Sequence, residues 1–288
     1  MSKAGKPVLI GIAGGSGSGK THLAHQIRAI AGGKNVSVLS MDRYFRTESS
    51  GGGAEVNFDH PAHLDLDLLE HHLSELQACR EVRAPAYDFR TMVQTQEADV
   101  IPASSVIVVE GLFVLAAPIV DALDISCFLD VDADQRLLGR ILRDHHERGA
   151  TLAETVDRYQ RFVRPSYNVF VAPTRQNADV VVDFTYRRSF FTSLLAELVL
   201  EYVSGGLDMQ ALISRARRDN FRLGYRAEEP IMPISIDIRA LAKAFPEHIV
   251  QHAPSSAGVP VLFVDTDGHQ AVTLDVNDHE KGENRRNG

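Results

Sequence analysis

The sequence has little cysteine, no long hydrophobic run and no excess of positive charge. Its two cysteines, Cys79 and Cys127, are too few for a disulfide framework or a cysteine-based metal site. The apolar run from Val8 to Ala13 is far shorter than the roughly 20 residues that cross a bilayer, and no stretch of signal-peptide form precedes it. The formal net charge is −8, so the chain lacks the positive field of a general nucleic-acid-binding surface. We therefore expect a soluble cytoplasmic protein that binds neither nucleic acid nor a membrane.

Short, nearly unbroken apolar runs alternate with amphipathic stretches along the chain. The runs are Val8 to Ala13, Val36 to Met41, Val106 to Val109, Cys127 to Val131 and Val180 to Val182. Runs this apolar are typical of strands that are buried on both faces, as in a parallel sheet covered by helices. The alternation predicts an α/β fold, a doubly wound parallel sheet with helices on both faces.

The clearest helical pattern runs from about Ala133 to Arg148. Its apolar stripe consists of Leu137, Leu138, Ile141 and Leu142. Asp132 is the expected N-cap, and Gly149 is expected to end the helix.

The pattern changes after roughly Tyr202, and we predict three regions. Residues 1–205 form a kinase-sized core, residues 206–276 a small C-terminal α+β extension, and residues 277–288 a polar, disordered tail. The extension is predicted to contain a helix at about Asp208 to Asp219, a strand-like "IMPISIDI" and a hairpin that turns at Asp267-Gly268. Within the core, the glycine-rich segment from Glu48 to Phe58 is expected to be a flexible loop.

A glycine-rich loop follows the first predicted strand and precedes a helical stretch. Its residues match G-x-x-x-x-G-K-[ST]: Gly14, Gly15, Ser16, Gly17, Ser18, Gly19, Lys20 and Thr21. In such a loop the glycines let backbone N–H groups turn around phosphate oxygens, next to the positive N-terminus of a helix. The lysine reaches the β- and γ-phosphates, and the hydroxyl of the threonine completes the coordination of Mg²⁺. The loop therefore predicts a P-loop NTPase-type fold that binds a nucleoside triphosphate.

Carboxylates follow two of the predicted strands. Asp42 ends the second run, and Glu110 ends the third. Ligands of an open α/β sheet bind at the carboxyl ends of its strands. Phosphoryl transfer to a hydroxyl needs a carboxylate that orients and deprotonates the acceptor, as well as oxygen ligands for Mg²⁺. Asp42 and Glu110 are placed for these two tasks.

Seven ordered blocks resemble the uridine kinase family, within the phosphoribulokinase/uridine kinase group of P-loop kinases. The blocks are "GGSGSGKT", "MDRYF", "NFDHP", "YDF", "VVEGL", "RILRDHHERG" and "PTRQNADVVV". The resemblance covers roughly Val8 to Asp183 and implies ATP and Mg²⁺ as cofactors. It also implies a small-molecule hydroxyl acceptor, a nucleoside or a polyol, and a possible homo-oligomer.

The resemblance also implies roles for individual residues. Asp42 is the catalytic base for the nucleoside 5′-hydroxyl, assisted by Lys20, while Thr21, Asp42 and Glu110 surround Mg²⁺. Asp59 binds the ribose hydroxyls beside Phe58, and Tyr87 and Phe89 border the base.

The resemblance further implies which residues form the two binding sites. The ATP site comprises the loop residues 14–21, His22 and three arginines of a lid: Arg140, Arg143 and Arg148. The lid also contains Arg136. The acceptor site comprises Asp42, Tyr44, Phe58, Asp59, Tyr87, Phe89, Met92, Arg140 and Arg158.

Three positions depart from the family's pattern. Met92 stands where uridine kinases usually have a histidine that reads the pyrimidine, Ala150 replaces an arginine, and Arg158 replaces a glutamine. A site that loses a hydrogen-bonding group to its substrate loses discrimination. We therefore expect slow phosphorylation of uridine and cytidine, and preference for another ribose-bearing or polyol compound.

Two alternatives remain open at this stage. One is a phosphoribulokinase-like or other small-molecule kinase. The other is a regulatory protein that senses ATP without kinase turnover and contacts a partner through its C-terminal extension. The acceptor base and the ribose-binding carboxylate favour an enzyme, because a sensor needs neither.

Overall fold

Five parallel strands form the central sheet of the protein. In a computed structural model, residues 6–47, 56–89, 91–222, 238–244, 261–263 and 272–274 are described. The strands of the sheet are β1 (Val8–Gly14), β2 (Val36–Ser40), β5 (Val106–Glu110), β6 (Ile125–Asp130) and β7 (Val180–Asp183). They lie side by side in the order β2-β5-β1-β6-β7. All four pairings are parallel, so the five apolar runs are confirmed as strands of a parallel sheet.

Helices cover both faces of this sheet, as predicted for a doubly wound fold. The helices of the core are α1 (Lys20–Ile30), α2 (Leu66–Gln77), α3 (Ala133–Arg148), α4 (Leu152–Arg158), α5 (Arg164–Ser166) and α6 (Phe184–Val203). One hydrophobic cluster joins the sheet to α2, and a second joins it to α1 and α6. Side chains of β1 alternate between the clusters, with Leu9 in the first and Ile10 in the second. This alternation follows from the two-residue period of a strand.

A hairpin outside the central sheet was not predicted from the sequence. Strand β3 (Val82–Asp88) pairs antiparallel with β4 (Val93–Ile101), and the register shifts between Ala84 and Ala86. The motif "YDF" lies at the end of β3, so the hairpin carries part of the predicted acceptor site.

Helix α3 has the predicted bounds, but its buried face is not the predicted apolar stripe. Arg136, Arg140 and Asp144 are buried, whereas Leu138 and Leu142 are 53% and 61% exposed. Gly149 ends the helix at φ 70°, as expected, while the side chain of Asp132 makes no capping hydrogen bond. The helix turns its charged face inward because that face lies against the phosphate loop.

The C-terminal region contributes two helices and a strand pair among the described residues. Helix α7 (Met209–Arg222) follows α6, and α8 (Ile238–Ala244) is a short separate helix. Strands β8 (Val261–Phe263) and β9 (Val272–Leu274) pair antiparallel, in agreement with the predicted hairpin. Four predicted segments lie wholly or partly outside the described residues. They are residues 48–55 of the predicted flexible loop, most of "IMPISIDI", the turn at Asp267-Gly268 and residues 277–288. Of the helices in the described part of the chain, none is long and apolar enough to span a membrane.

Candidate active site

The glycine-rich loop connects β1 to α1 and forms the floor of the site. Gly17 and Gly19 have φ values of +83° and +89°, a left-handed conformation that favours glycine. The ammonium group of Lys20, the first residue of α1, donates a hydrogen bond to the Gly15 carbonyl at 3.0 Å. The loop therefore turns back over the start of the helix, in the strand–loop–helix context that the phosphate-binding motif requires.

Two carboxylates lie beside this loop at the carboxyl ends of the strands. Glu110 pairs in register with Ile12 of β1 on one side and with Ser40 of β2 on the other, and Asp42 follows β2 by two residues. Burial, together with the negative charge of Asp42, raises the pKa of Glu110. Burial also lowers the pKa of Lys20, against the opposing influence of the two carboxylates. Lys20, Asp42 and Glu110 therefore interact at close range, and perturbed pKa values such as those of Lys20 and Glu110 are typical of a functional site.

The chemistry of these side chains fits a magnesium ion. Oε1 of Glu110 is buried without a hydrogen-bond partner in the described part of the chain, so it has capacity for a ligand. Thr21 and Asp42 line the same pocket and offer further hard oxygen donors. Among the described residues, no cluster of three His, Cys, Asp or Glu side chains could hold a metal by itself. Any Mg²⁺ here would share its coordination with phosphate oxygens and water, as Mg²⁺ commonly does in kinase sites.

Helix α3 lies directly on the glycine-rich loop. A Cβ atom at Gly139 would come within 2.8 Å of the Gly17 carbonyl oxygen, and one at Gly17 would meet the backbone of Arg136. The two glycines therefore permit this close approach. Arg140 then reaches across the site, with Nη1 at 2.8 Å from Ser16 Oγ and 3.4 Å from Asp59 Oδ2.

Three arginines of the predicted lid converge on Asp144, a residue that the sequence analysis did not single out. Asp144 Oδ2 lies 3.1 Å from Arg140 Nε, and its Oδ1 lies 2.8 Å from Arg143 Nη2 and 3.5 Å from Arg148 Nη1. Burial and the nearby charge of Arg143 lower the pKa of Arg148 to about 10. The signal in the sequence was an acidic residue among arginines at helical spacing, but spacing alone does not reveal that this face is buried.

The opposite wall of the site contains Asp59 and a group of aromatic rings. The Asp59 backbone N–H donates to Asn57 Oδ1 at 3.0 Å, which fixes the turn that presents its carboxylate. Phe58 contacts three other rings edge-on or tilted: Phe45, Tyr87 and Phe89. The Arg148 guanidinium lies 4.1 Å from the centre of the Phe89 ring.

These elements form one open pocket. It is lined by Ser16, Lys20, Thr21, Asp42, Phe45, Phe58, Asp59, Phe89, Glu110, Leu112, Arg140, Arg143 and Arg148. Phosphate-binding and acceptor residues predicted from distant parts of the sequence therefore meet in one place.

Several predicted residues do not line this pocket. Tyr44 is fully buried, its hydroxyl hydrogen bonds His72 Nδ1, and the neighbouring Phe45 lines the pocket. The predicted contact of Tyr44 with the substrate stays a prediction. Met92 is 42% exposed, just before β4.

Three further predicted residues also lie outside the lining of the pocket. Arg158 lies behind Phe58, where its Nη2 donates to the Val56 carbonyl at 2.8 Å. His22 is exposed on α1, and Tyr87 contacts Phe58 and Phe89 from outside the lining.

Comparison with known proteins identifies relatives of this chain. The profile of the phosphoribulokinase/uridine kinase family matches residues 9–189. A uridine kinase from Oceanobacillus iheyensis is 35% identical over 206 residues, which cover 70% of this chain and 98% of that protein. A uridine kinase from Bacillus pumilus is 39% identical over 181 residues, which cover 62% and 86%. A proposed fructose transport system kinase from Silicibacter sp. TM1040 shares the fold at a TM-score of 0.50, with 21% identity and coverage of 63% and 93%.

Proposed function

Because the chain belongs to the phosphoribulokinase/uridine kinase family, we propose that it phosphorylates the primary hydroxyl of a ribonucleoside or a related ribose compound. Family membership makes it an ATP-dependent kinase that acts on a small molecule. The observation that supports a ribose acceptor is the presence of two carboxylates, Asp42 and Asp59, in one pocket with the phosphate loop. One of them can accept a proton, and the other can accept hydrogen bonds from vicinal hydroxyls.

Asp42 is the proposed general base. It accepts the proton of the acceptor hydroxyl as the oxygen attacks the γ-phosphorus of ATP, and the bond to the β,γ-bridging oxygen breaks to release ADP. Lys20 and the arginines of α3 supply fixed positive charge where negative charge develops on the transferred group. Removal of these groups from water before the reaction strengthens this electrostatic effect.

Mg²⁺ is proposed to bind next to Thr21, Asp42 and Glu110, with the remaining ligands from phosphate and water. When bound, the ion neutralises phosphate charge and helps to orient the reacting groups. Burial and Asp42 raise the pKa of Glu110 in the free protein, and a bound cation would lower that pKa and favour the ionised carboxylate.

The acceptor's base is proposed to meet an aromatic surface rather than specific hydrogen-bonding groups. The rings of Phe45, Phe58 and Phe89 line the pocket, and Arg148 stacks on the last of them. Aromatic faces stack on any base. We therefore propose selectivity at the ribose and tolerance at the base, with slow turnover of uridine and cytidine.

Release of ADP from Mg-ATP against a panel of nucleosides, pentoses and related alcohols tests this proposal. We expect turnover that depends on an added ribonucleoside. Turnover with a sugar phosphate alone would favour a phosphoribulokinase-like activity. Binding of ATP without turnover on any acceptor would favour an ATP-sensing protein. Strong preference for uridine or cytidine over every other acceptor would contradict tolerance at the base.

We further propose that the protein is located in the cytoplasm. Cys79 and Cys127 are both unpaired thiols, which suits a reducing cytoplasm where ATP is available. Association of the chain with copies of itself stays a prediction.

A further inference from the structure

The short helix α8 lies against the acceptor side of the site, although it comes from the C-terminal extension. The family profile ends at residue 189, so α8 belongs to the part of the chain that this profile does not cover. The helix packs against the turn Pro61–His63, which follows Asp59 and His60 directly. The extension thus reaches a segment that contains a proposed substrate-binding residue.

Two residues fix α8 at this position. Ile238 has no exposed surface, belongs to the hydrophobic cluster beneath α2, and donates its backbone N–H to the Ala117 carbonyl at 3.3 Å. Arg239 Nη2 lies 2.6 Å from Asp67 Oδ1 and 3.0 Å from Glu70 Oε2, both on α2. The helix is therefore anchored by the buried side chain of Ile238, by its backbone hydrogen bond and by the ion pairs of Arg239 with two carboxylates.

The turn that α8 covers is connected by backbone hydrogen bonds to the segment after Asp42. The Arg46 N–H donates to the His63 carbonyl and the Asp65 N–H donates to the Tyr44 carbonyl, both at 2.8 Å. Phe45 and Leu64 form an antiparallel bridge between these two bonds. A shift of the turn would therefore move Phe45 in the pocket, together with the backbone segments that follow Asp42 and Asp59.

We propose that α8 holds the acceptor side of the active site in place, with Ile238 and Arg239 as positioning residues. This inference rests on the proposed function, since it concerns the same acceptor site. Release of α8 should leave the glycine-rich loop and the arginines of α3 in place, because the contacts described above join α8 to α2, to Ala117 and to the turn Pro61–His63. The effect should fall on the acceptor and not on ATP.

The charge reversal Arg239→Glu tests this proposal. It places a third carboxylate beside Asp67 and Glu70 and should release the helix. With uridine as the acceptor, we expect KM for uridine to rise by on the order of five-fold or more while KM for ATP stays unchanged. Amide exchange of Arg46 and Asp65 should become faster in the same variant, because their N–H groups donate the two hydrogen bonds that tie the turn to the segment after Asp42.

Two controls separate positioning from a general charge effect. Lys243→Glu makes the same charge change at an exposed position of α8 and should alter neither KM nor exchange. Combining Arg239→Glu with Asp67→Lys and Glu70→Lys should restore both.

Unchanged exchange in Arg239→Glu would overturn the docking of α8, and faster exchange with an unchanged KM for uridine would overturn its positioning role. Equal effects of Lys243→Glu would overturn both. Absence of any acceptor-dependent turnover in the wild type would instead contradict the proposed function, and the exchange measurement would still decide whether α8 is docked.

Discussion

At the scale of single residues, the site is a small set of buried charges, of which some are paired and some are shifted towards their neutral forms. Lys20, Glu110, Asp59, Arg140 and Asp144 are all less than 9% exposed. Buried charges are expensive unless they are paired. Arg140 pairs with Asp59 of the acceptor wall and with Asp144 of α3, whereas burial shifts the pKa values of Lys20 and Glu110 towards their neutral forms.

Replacement of Asp42 by asparagine should remove the base and preserve the pocket. The amide has nearly the same size but cannot accept the acceptor's proton, so kcat should fall by about 10²–10⁴-fold. Affinity for ATP, measured by titration, should change much less. Asp134→Asn, at an exposed position of α3, is the control. An unchanged kcat would move the role of base to another residue, with Glu110 the next candidate.

Replacement of Asp144 by asparagine should loosen three arginines together. Their guanidinium groups would lose the carboxylate that orients them and would repel one another, so we expect KM for ATP to rise about ten-fold or more. The matched control is Asp157→Asn, which breaks an exposed pair with Arg161 on a neighbouring helical segment and should have little effect. Similar kinetics for both variants would show that Asp144 does not organise the lid.

Replacement of Glu110 by glutamine should stabilise the free protein in a pH-dependent way. The pKa of Glu110 is higher in the folded protein than the ordinary value of 4.5, so its ionisation lowers stability as pH rises from 4.5 through the folded pKa. Glutamine cannot ionise, so the variant does not lose this stability as the pH rises. Without ATP or Mg²⁺, we expect Tm of the variant to exceed that of the wild type near pH 7, and to exceed it by a smaller margin at pH 4.5. A difference that does not vary with pH would contradict the shift.

At the scale of elements, α3 illustrates what periodicity can and cannot predict. The start at Ala133 and the end at Gly149 follow from local chemistry and were predicted correctly. The buried face was not, because hydrophobic periodicity assumes that the apolar stripe meets the core. In this protein the helix meets a phosphate loop, so arginines face inward and leucines such as Leu142 remain exposed.

The contact between α3 and the glycine-rich loop depends on Gly139. Alanine is the better helix former by about 1 kcal/mol, but its methyl group would press on the Gly17 carbonyl oxygen. We expect Gly139→Ala to lift the helix and raise KM for ATP several-fold without loss of helix content. Gly33→Ala adds a methyl group where the nearest atom is 3.6 Å away and should be neutral. Equal KM values in the two variants would mean that the close approach is not needed for ATP binding.

At the scale of the whole molecule, local patterns predicted the sheet but not every element around it. Buried parallel strands leave a strong apolar signal, and the glycine-rich loop has a fixed spacing, so both were found. The hairpin β3–β4 has mixed exposure along its length and gave a weaker signal. The complete burial of Tyr44 depends on a single turn of 3-10 helix after β2, which no periodic pattern reveals. The docking of α8 depends on contacts more than 160 residues apart in sequence, between Arg239 and α2, which no local pattern encodes.

The central claim is that one pocket recognises a ribose and phosphorylates its primary hydroxyl. The most direct test compares kcat/KM for the best ribonucleoside acceptor of the panel with kcat/KM for its 2′-deoxy form. Loss of one hydroxyl would leave the buried Asp59 carboxylate with one hydrogen bond fewer, so we predict a preference for the ribonucleoside of about 10²-fold or more. In Asp59→Asn the preference should shrink sharply. Equal kcat/KM for the two compounds in the wild type would contradict the claim.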